Sequence, residues 1–452
     1  MKNLKNNVYF KIGAIVILII VLLIPAVMVK GLITEREKTH QSAINEVNDK
    51  WANGQTISGP YISVPYYKTS KQYSEKTKQY KTVKIKDWIY FMPETLNIEG
   101  DIKNQTRKRS IYEIVVYNSN LKMAGSFEKL DIKQHNIDPE DVIWENATLN
   151  IGISDLKGIE NQIELKWDTS STLFKSGTST NDIVYNGINA EIPVNMDSTS
   201  YEFSLKLGLK GSQFISFTPL GKTTDLVLTS DWKDNSFMGN FLPDTNKKLA
   251  NGGSMAHWNI IHLNRNYPQS WTGNKYSVQE SVFGTNLMIP VDNYQKSYRV
   301  ARYAILFLVL TFMVFFFVEM LKKIFIHPIQ YLLVGIAIIV FYCLLLAFSE
   351  HIDFNSSYII SAVLTLSLIT FYISTSVKSK EIGVLTFGLL AILYTFIFTI
   401  IQIQDYALLI GSMGVFTILA FVMFFSRKID WYDIKIGGED KNNVEENEST
   451  LE

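Results

Sequence analysis

Residues 329–348 read IQYLLVGIAIIVFYCLLLAF, an apolar stretch without a charged side chain. At about 1.5 Å per residue, about 20 helical residues cross the roughly 30 Å of hydrocarbon in a bilayer. Five further runs of 16 to 20 residues have the same character: residues 12–29, 303–318, 358–377, 382–401 and 406–425. A buried helix of a soluble protein fits apolar runs of about 10 to 14 residues better. The sequence therefore predicts a membrane protein with six transmembrane α-helices, one N-terminal and five C-terminal.

The composition of the whole chain agrees with a membrane location. Only 19% of the 452 residues are charged and 47% are hydrophobic, whereas about 25% are charged in soluble domains. The 43 Lys and Arg residues balance 43 Asp and Glu residues. A nucleic-acid-binding protein needs a basic excess to neutralise phosphates. The composition thus argues against a wholly soluble or disordered chain and against nucleic acid as a partner.

The first apolar run follows Lys2, Lys5 and Lys11, a basic start that is also typical of a secretory signal peptide. A cleaved signal peptide has an apolar region of about 7 to 15 residues and a small-residue cleavage site. Here the apolar run has 18 residues, and residues 27–30 read VMVK, which offers no such site. An uncleaved signal anchor over residues 12–33 is the favoured interpretation, with a cleaved peptide as the alternative.

The orientation follows from the short loops, because Lys and Arg residues are retained on the cytoplasmic side. Basic residues precede the first span, lie in the turns at 322–323 and 378–380, and follow the last span at 427–428. The other two turns, 349–357 and 402–405, contain none. This alternation predicts that both termini are cytoplasmic and that residues 34–298 lie outside.

The external segment is predicted to be β-rich and sandwich-like. In residues 201–209 the apolar side chains Tyr201, Phe203, Leu205, Leu207 and Leu209 alternate with polar or small ones. Residues 147–153 and 163–167 repeat this period of two, which a strand produces when one face packs on a core and the other meets water. An antiparallel sandwich, or a pair of sandwiches, is the expected architecture.

A short helix is predicted to prolong the first span towards this domain, because Ile44, Val47 and Trp51 have i, i+3, i+7 spacing. The sole cysteine, Cys343, lies inside an apolar span. Disulfides therefore cannot stabilise the external domain, which must rely on its apolar core.

These observations divide the chain into five segments. They are a cytoplasmic N-terminus (1–11), transmembrane helix 1 (12–33), the external β-rich domain (34–298), a five-helix bundle (299–425) and a cytoplasmic acidic tail (426–452). The tail has six acidic residues after residue 437 against one lysine and almost no apolar residues, so it is predicted to be disordered.

The common catalytic motifs are missing. The sequence contains no Gly-rich phosphate loop with Lys and Ser/Thr, no H-E-x-x-H, no paired C-x-x-C and no G-x-S-x-G. Glu350, His351 and Asp353 have ligand-type side chains, but no second element supplies partners for a metal ion. We therefore assign no catalytic, cofactor-binding or metal-binding residue and expect no enzymatic activity.

Polar residues nevertheless collect near one predicted depth, at the outer ends of the spans. This candidate polar band consists of Asp292, Arg299, Arg302, Glu350, His351, Asp353, Gln404 and Asp405. Its carboxylates are expected to pair with the arginines and dock the β domain on the bundle, and a gated polar entrance for a solute or ion is the alternative. Glu319, near the other end of its span, is expected to pair locally with Lys322 and Lys323.

Several stretches resemble the CreD family of bacterial inner-membrane proteins, which is associated with cell envelope integrity and colicin tolerance. The likeness is densest in residues 327–335 (HPIQYLLVG), 341–342 (FY), 344–346 (LLL), 349–352 (SEHI), 405–412 (DYALLIGS) and 427–432 (RKIDWY). Residues 290–292 (PVD), 294–296 (YQK), Gly59, Pro60 and Pro65 also match. The resemblance implies a location in the inner membrane, with residues 34–298 in the periplasm.

One external motif matches the family only in part. Ser230, Trp232, Phe237, Gly239, Phe241, Leu242 and Pro243 follow its pattern. The His-Pro usual before the phenylalanine is absent, because residues 234–236 read DNS. A role that rests on this histidine does not carry over, and the family supplies no catalytic residues.

Three functions compete at this stage. A non-enzymatic envelope protein would use the external domain to bind envelope proteins, lipid or wall components. A transporter or channel subunit would need polar or broken spans, and a membrane-embedded enzyme would need clustered acid and base groups. Spans three to six contain no charged residue, which favours the first function by elimination.

Overall fold

The structure is a computed structural model that describes residues 8–74, 79–195, 197–232, 236–250, 252–287, 292–322, 324–403 and 406–427. The chain divides into two compact units. The membrane unit comprises Met1–His40 and Val291–Glu452, and the β unit comprises Gln41–Pro290. Almost all of the acidic tail predicted to be disordered lies outside the described residues.

Helices account for the membrane unit. The described residues contain α1 (Val8–Trp51), α2 (Asp292–Arg302), α3 (Ala304–Lys322), α4 (Pro328–Ser349), α5 (Phe354–Ser376), α6 (Lys380–Gln402) and α7 (Ala407–Ser426). The first 33 residues of α1 belong to this unit and its last 11 to the β unit.

Four of these helices, α1, α4, α5 and α6, are long and apolar enough to cross a membrane. Helices α2 and α3 meet at a bend of 47° and together meet the same criterion, whereas the apolar part of α7 is shorter. The described residues thus contain an N-terminal apolar helix and three to four C-terminal ones of spanning length. This confirms the predicted membrane protein, and the count of six spans stays a prediction.

Helix α4 begins at a capping motif. Pro328 occupies the first turn, where a missing N–H costs no intrahelical hydrogen bond. The backbone N–H of Ile329 donates to Nδ1 of His327 at 3.3 Å, and the N–H of His327 donates to the side-chain oxygen of Gln330 at 3.0 Å. This reciprocal capping box satisfies donors that a helix start leaves unpaired. It gives the His-Pro-x-Gln sequence a structural role.

Gly335 in α4 allows α1 to pack closely. A Cβ atom on Gly335 would lie 2.2 Å from Cδ1 of Leu22, a fully enclosed residue of α1, and 3.1 Å from Cζ of Phe312. We expect Gly335→Val to destabilise the solubilised protein by about 1–3 kcal/mol, because overpacking displaces both neighbours. Thermal unfolding in detergent measures the change. Gly388→Val in α6 is the matched control, since a Cβ there meets nothing within 4 Å, and equal melting of the two variants would contradict the close contact.

The β unit contains seventeen strands in the described residues. They are β1 (Gln55–Ser74), β2 (Gln79–Phe91), β3 (Thr95–Arg109), β4 (Tyr112–Glu128), β5 (Thr148–Ile153), β6 (Glu164–Trp167), β7 (Ser170–Leu173), β8 (Lys175–Ser176), β9 (Gly187–Glu191), β10 (Ser200–Ser212), β11 (Phe214–Thr218), β12 (Thr223–Ser230), β13 (Ser236–Gly239), β14 (Thr245–Lys248), β15 (Ser254–Ile261), β16 (Ser270–Thr272) and β17 (Phe283–Asn286).

These strands form two sheets. The first has the order β13-β17-β11-β1-β5-β9-β8, with β2 beside β1 and β16 beside β2, and the second has the order β14-β15-β12-β3-β4-β10-β6-β7. Most pairs are antiparallel, as predicted, but β1 pairs with β11 and β3 pairs with β12 in parallel. Parallel neighbours need a long connection, which the many residues between these strands provide.

One apolar core joins residues of both sheets. The predicted alternation is confirmed in β10, where Tyr201, Phe203, Leu205, Leu207 and Leu209 are buried. In β5 the expectation of one solvent-facing side is wrong, because all six residues are buried. The segment 177–186 covers the second side of β5: the N–H of Ser179 donates to Oδ1 of Asn150 at 3.1 Å.

The last turns of α1 cover a hairpin of the β unit. Ile44, Val47 and Trp51 pack against Ile114 and Val116 of β4, which confirms the amphipathic helix that their spacing predicts. The side chain of Arg109, at the end of β3, donates to both carboxylate oxygens of Glu46 at 2.9 and 3.0 Å. Apolar packing and an ion pair therefore attach the end of this helix to the β3–β4 hairpin.

Candidate functional site

The clearest polar feature inside the membrane unit is a buried ion pair, the Lys11–Glu319 cluster, which consists of Lys11, Glu319, Ile326 and Tyr331. Glu319 lies in the last turn of α3, and Ile326 lies in the link to α4. Tyr331 is in the first turn of α4, and Lys11 is near the start of α1. The capping box at His327 defines where α4 begins and so sets the position of Tyr331.

Every member of this cluster has a hydrogen-bonding partner. The ammonium group of Lys11 forms an ion pair with Oε1 of Glu319 and donates to the carbonyl of Ile326 at 2.8 Å. The N–H of Ile326 donates to Oε1 of Glu319 at 3.1 Å, and the hydroxyl of Tyr331 donates to Oε2 at 3.1 Å. The carboxylate thus accepts from three donors on three different elements. Lys11 also lies 4.6 Å from the ring centroid of Phe325, a cation–π distance.

The cluster is withdrawn from solvent. Glu319 is 0% exposed and Lys11 is 7% exposed. Burying a charge is costly unless it is paired and hydrogen-bonded, and removing one partner of a buried pair leaves the other uncompensated. An ionisable group inside a membrane protein is also a standard marker of an ion or proton path. The arrangement can therefore serve either to hold α1 against α3 and α4 or to support transport.

The expected pairing of Glu319 with Lys322 is wrong, and Lys323, the other expected partner, lies outside the described residues. Its cation is Lys11, which lies 308 residues away in the sequence, whereas the side chain of Lys322 is exposed. The carboxylate turns towards the interior because the Ile326 N–H, the Tyr331 hydroxyl and Lys11 together replace its hydration. A sequence signal did exist: Lys11 begins the first apolar run and Glu319 ends the second, and alternating spans bring these two ends to the same side.

Glu350 of the predicted polar band belongs to a second group of contacts. Its Oε1 lies 3.8 Å from Nε of Arg36 in α1 and accepts from the hydroxyl of Tyr294 in α2 at 3.4 Å. Beside it, Nδ2 of Asn293 donates to the carbonyl of Ser349 at 2.9 Å. These contacts connect α1 and α2 to the C-terminal end of α4. Neither Arg36 nor Tyr294 belongs to the predicted polar band.

The structure does not assemble the rest of the band into one site. Asp353 caps α5, where its carboxylate accepts from the N–H of Ser356 at 3.0 Å, and this bond lowers the pKa of Asp353. His351 and Arg302 are exposed, and Arg302 forms no ion pair with a carboxylate of the described residues. Arg299 is half-buried, and Asp292 begins α2. Gln404 and Asp405 lie outside the described residues, and the docking role of the band stays a prediction.

Aromatic side chains fill the interior between α3, α4, α5 and α6. The ring of Phe307 lies 4.7 Å from that of Tyr394 and 5.8 Å from that of Phe341, and Phe341 lies 5.5 Å from Tyr358. The hydroxyl of Tyr358 donates to the carbonyl of Tyr394 at 2.8 Å. Within the described part of the chain, the buried hydroxyls of Tyr342 and Tyr394 have no hydrogen-bonding partner. This packing joins the helices through large apolar areas.

The described residues contain no group of three or more His, Cys, Asp or Glu side chains placed to hold a metal ion.

Comparison with known proteins identifies the family that this chain resembles. The family model described as inner membrane protein CreD matches residues 7–432. The inner membrane protein CreD of Escherichia coli strain K12 is 28% identical over 435 residues, which cover 95% of each chain. The match includes both ends of the Lys11–Glu319 cluster and the whole β unit. The chain therefore belongs to the CreD family of inner membrane proteins.

Proposed function

We propose that this protein contributes to the integrity of the cell envelope through its β unit, without enzymatic activity. In this proposal the chain crosses the inner membrane six times, its first helix is an uncleaved signal anchor, and both termini are cytoplasmic. The β unit then lies in the periplasm, where it binds envelope proteins, lipid or wall components.

The proposal rests on the size of the β unit and on its own apolar core. It spans Gln41–Pro290, which is more than half of the 452 residues. Among its described residues, two sheets of nine and eight strands share an apolar core. A domain of this size far exceeds what a membrane anchor needs, so we place the activity in the β unit and the anchoring in the helices.

The placement of the β unit is tested by cysteine labelling. In a Cys343→Ser background, we expect Ser356→Cys and Gln404→Cys to react with an impermeant thiol reagent in cells whose outer membrane admits it. We expect Ser379→Cys and Ser449→Cys to stay protected until the inner membrane is opened. The reason is the alternation of Lys and Arg among the loops. Labelling of Ser379→Cys from outside would contradict the proposed topology.

Complementation of a gene-deletion strain, scored as detergent and colicin sensitivity, tests the functional part of the proposal. The deletion is expected to change the sensitivity to detergent and colicin, and the full chain is expected to restore the wild-type sensitivity.

A second candidate function is a transporter or channel subunit with a polar entrance at the outer face. The observation that favours it is the Lys11–Glu319 cluster, because it places an ionisable pair inside the membrane unit. This pair places charged groups on α1 and α3, so the uncharged spans three to six weigh less against transport. The two candidates differ in what they require of the pair: transport needs its charges, whereas anchoring needs only its packing.

A further inference from the structure

One part of the first sheet extends beyond its other strands. Residues 67–74 of β1 and 79–86 of β2 pair with each other, and the described residues supply no further strand beside them. We call these two segments the ribbon. Eight residues of strand correspond to about 26 Å. A two-stranded hairpin without a covered face is only marginally stable in water, so the ribbon lacks the support that the rest of the sheet has.

The ribbon is strongly basic in a chain that is neutral overall. Residues 67–74 and 79–86 contain five lysines and no acidic residue, whereas the whole chain has 43 basic and 43 acidic residues. Among the described lysines of this stretch, Lys84 forms an ion pair with Asp141 at 2.6 Å and Lys68 lies 3.9 Å from Asp87. Lys71 and Lys81 are exposed. Part of the positive charge of the described ribbon residues therefore faces solvent.

Large side chains are exposed beside these lysines. Tyr67, Tyr73 and Tyr80 are 42%, 51% and 70% exposed, and Ile85 is 49% exposed. The rings of Tyr73 and Tyr80 pair across the two strands with centroids 5.3 Å apart. Isolated exposed apolar residues are common on the surfaces of soluble proteins, whereas the ribbon exposes four large side chains close together.

The pairing register places lysines and tyrosines on the same face. Tyr67 is opposite Lys86, Lys71 is opposite Thr82, and Tyr73 is opposite Tyr80. Residues separated by two positions share a face of a strand, so these side chains belong to one face. Ammonium groups and aromatic rings thus alternate along it. Tyrosine and lysine are the side chains that proteins place in the headgroup region of a membrane, where an apolar body meets a polar end.

The β3–β4 hairpin shows how the same unit covers such an extension. Residues 103–109 of β3 also extend beyond their neighbour β12. There, Ile44 packs on Ile114, and Glu46 pairs with Arg109. The ribbon has no comparable cover in the described residues. A partner outside this chain is the simplest cover for it.

We propose that the ribbon docks on a membrane surface that carries anionic phospholipids. Lipid phosphates complement the lysine excess, and the tyrosines enter the headgroup layer. A soluble polyanion would match the charge but would leave the exposed tyrosine rings without a role. The inference rests on the proposed binding role of the β unit and names the class of its partner.

Flotation of vesicles tests this inference with the full-length protein in nanodiscs of neutral lipid. Vesicles of phosphatidylcholine alone are compared with vesicles that also contain phosphatidylglycerol. The triple variant Lys71→Gln, Lys81→Gln, Lys86→Gln should bind the anionic vesicles about 100-fold more weakly, because each lysine near a charged surface contributes about five-fold. The matched control is Lys166→Gln, Lys206→Gln, Lys247→Gln, which removes three exposed lysines elsewhere in the β unit and should bind like the wild type.

Two further measurements complete the test. Wild-type binding should weaken as salt is raised, and Tyr73→Ser with Tyr80→Ser should weaken it at every salt concentration. Equal binding by the two triple variants would overturn the inference. If soluble polyphosphate competed with the labelled anionic vesicles as effectively as unlabelled vesicles do, the lipid assignment would be wrong. The inference would also be overturned if the variant with Lys71→Gln, Lys81→Gln and Lys86→Gln self-associated while its vesicle binding stayed unchanged. That result would mean that the lysines protect exposed strand edges from pairing with another copy. Because flotation measures the ribbon directly, its failure is distinguishable from a failed complementation.

Discussion

Replacing Glu319 with glutamine is expected to destabilise the membrane unit by about 3–5 kcal/mol, because the change leaves the ammonium group of Lys11 buried without a counter-charge. Lys11 is 7% exposed, and its other hydrogen-bond acceptor is the carbonyl of Ile326. The glutamine side chain can still accept from the Ile326 N–H, so the loss of stability reflects mainly the missing negative charge. Thermal unfolding and the folded yield in detergent measure it.

The matched control is Glu381→Gln, which removes an exposed carboxylate near the start of α6. Its effect should stay within about 0.5 kcal/mol. The double variant Lys11→Met with Glu319→Gln removes both charges and should recover much of the stability, since a neutral pair is much cheaper to bury than a lone ion. Strict additivity of the two single changes would contradict direct pairing of Lys11 with Glu319.

This neutral double variant also separates the two candidate functions. If the cluster only fastens α1 to α3 and α4, a folded neutral variant should support the wild-type envelope phenotype. If the cluster carries an ion or a proton, the same folded variant should fail. Measuring stability and phenotype on one protein prevents a folding defect from being read as a transport defect.

The membrane location and the β-rich character could be predicted from the sequence because both depend on local periodicity. An apolar run of about 20 residues and a strand with period two, such as β10, reveal their environment without knowledge of their neighbours. The family resemblance is likewise carried by local motifs, including the capping box at His327 and Gln330.

The polar clusters could not be predicted in the same way. Lys11 and Glu319 are 308 residues apart, and no local pattern states that they pair. Side chains three residues apart pair on the exposed face of a helix, but Glu319 faces the interior, so this spacing does not predict its partner. The proposed partners of Arg302 were inferred from depth alone, whereas the structure shows Glu350 with Arg36 and Tyr294. Burial of both faces of β5 was also unpredictable, because the covering segment has no regular pattern.

We propose that the β unit acts and that the membrane unit anchors it. A variant in which residues 41–290 are replaced by a short flexible linker should therefore leave the deletion strain as sensitive to detergent and colicin as the empty vector does. The expected effect is complete loss, because the whole binding surface is removed, and immunoblotting of isolated membranes must show that the variant is inserted at the wild-type level. The neutral Lys11→Met, Glu319→Gln variant is the control, since it alters the membrane unit and keeps the β unit.

The most direct measurement is therefore complementation by these two variants side by side at matched membrane levels. We expect the neutral variant to restore the wild-type phenotype and the variant without residues 41–290 not to restore it. If the variant without residues 41–290 restored the phenotype and the neutral variant failed, the activity would lie in the membrane unit and the proposed role of the β unit would be wrong.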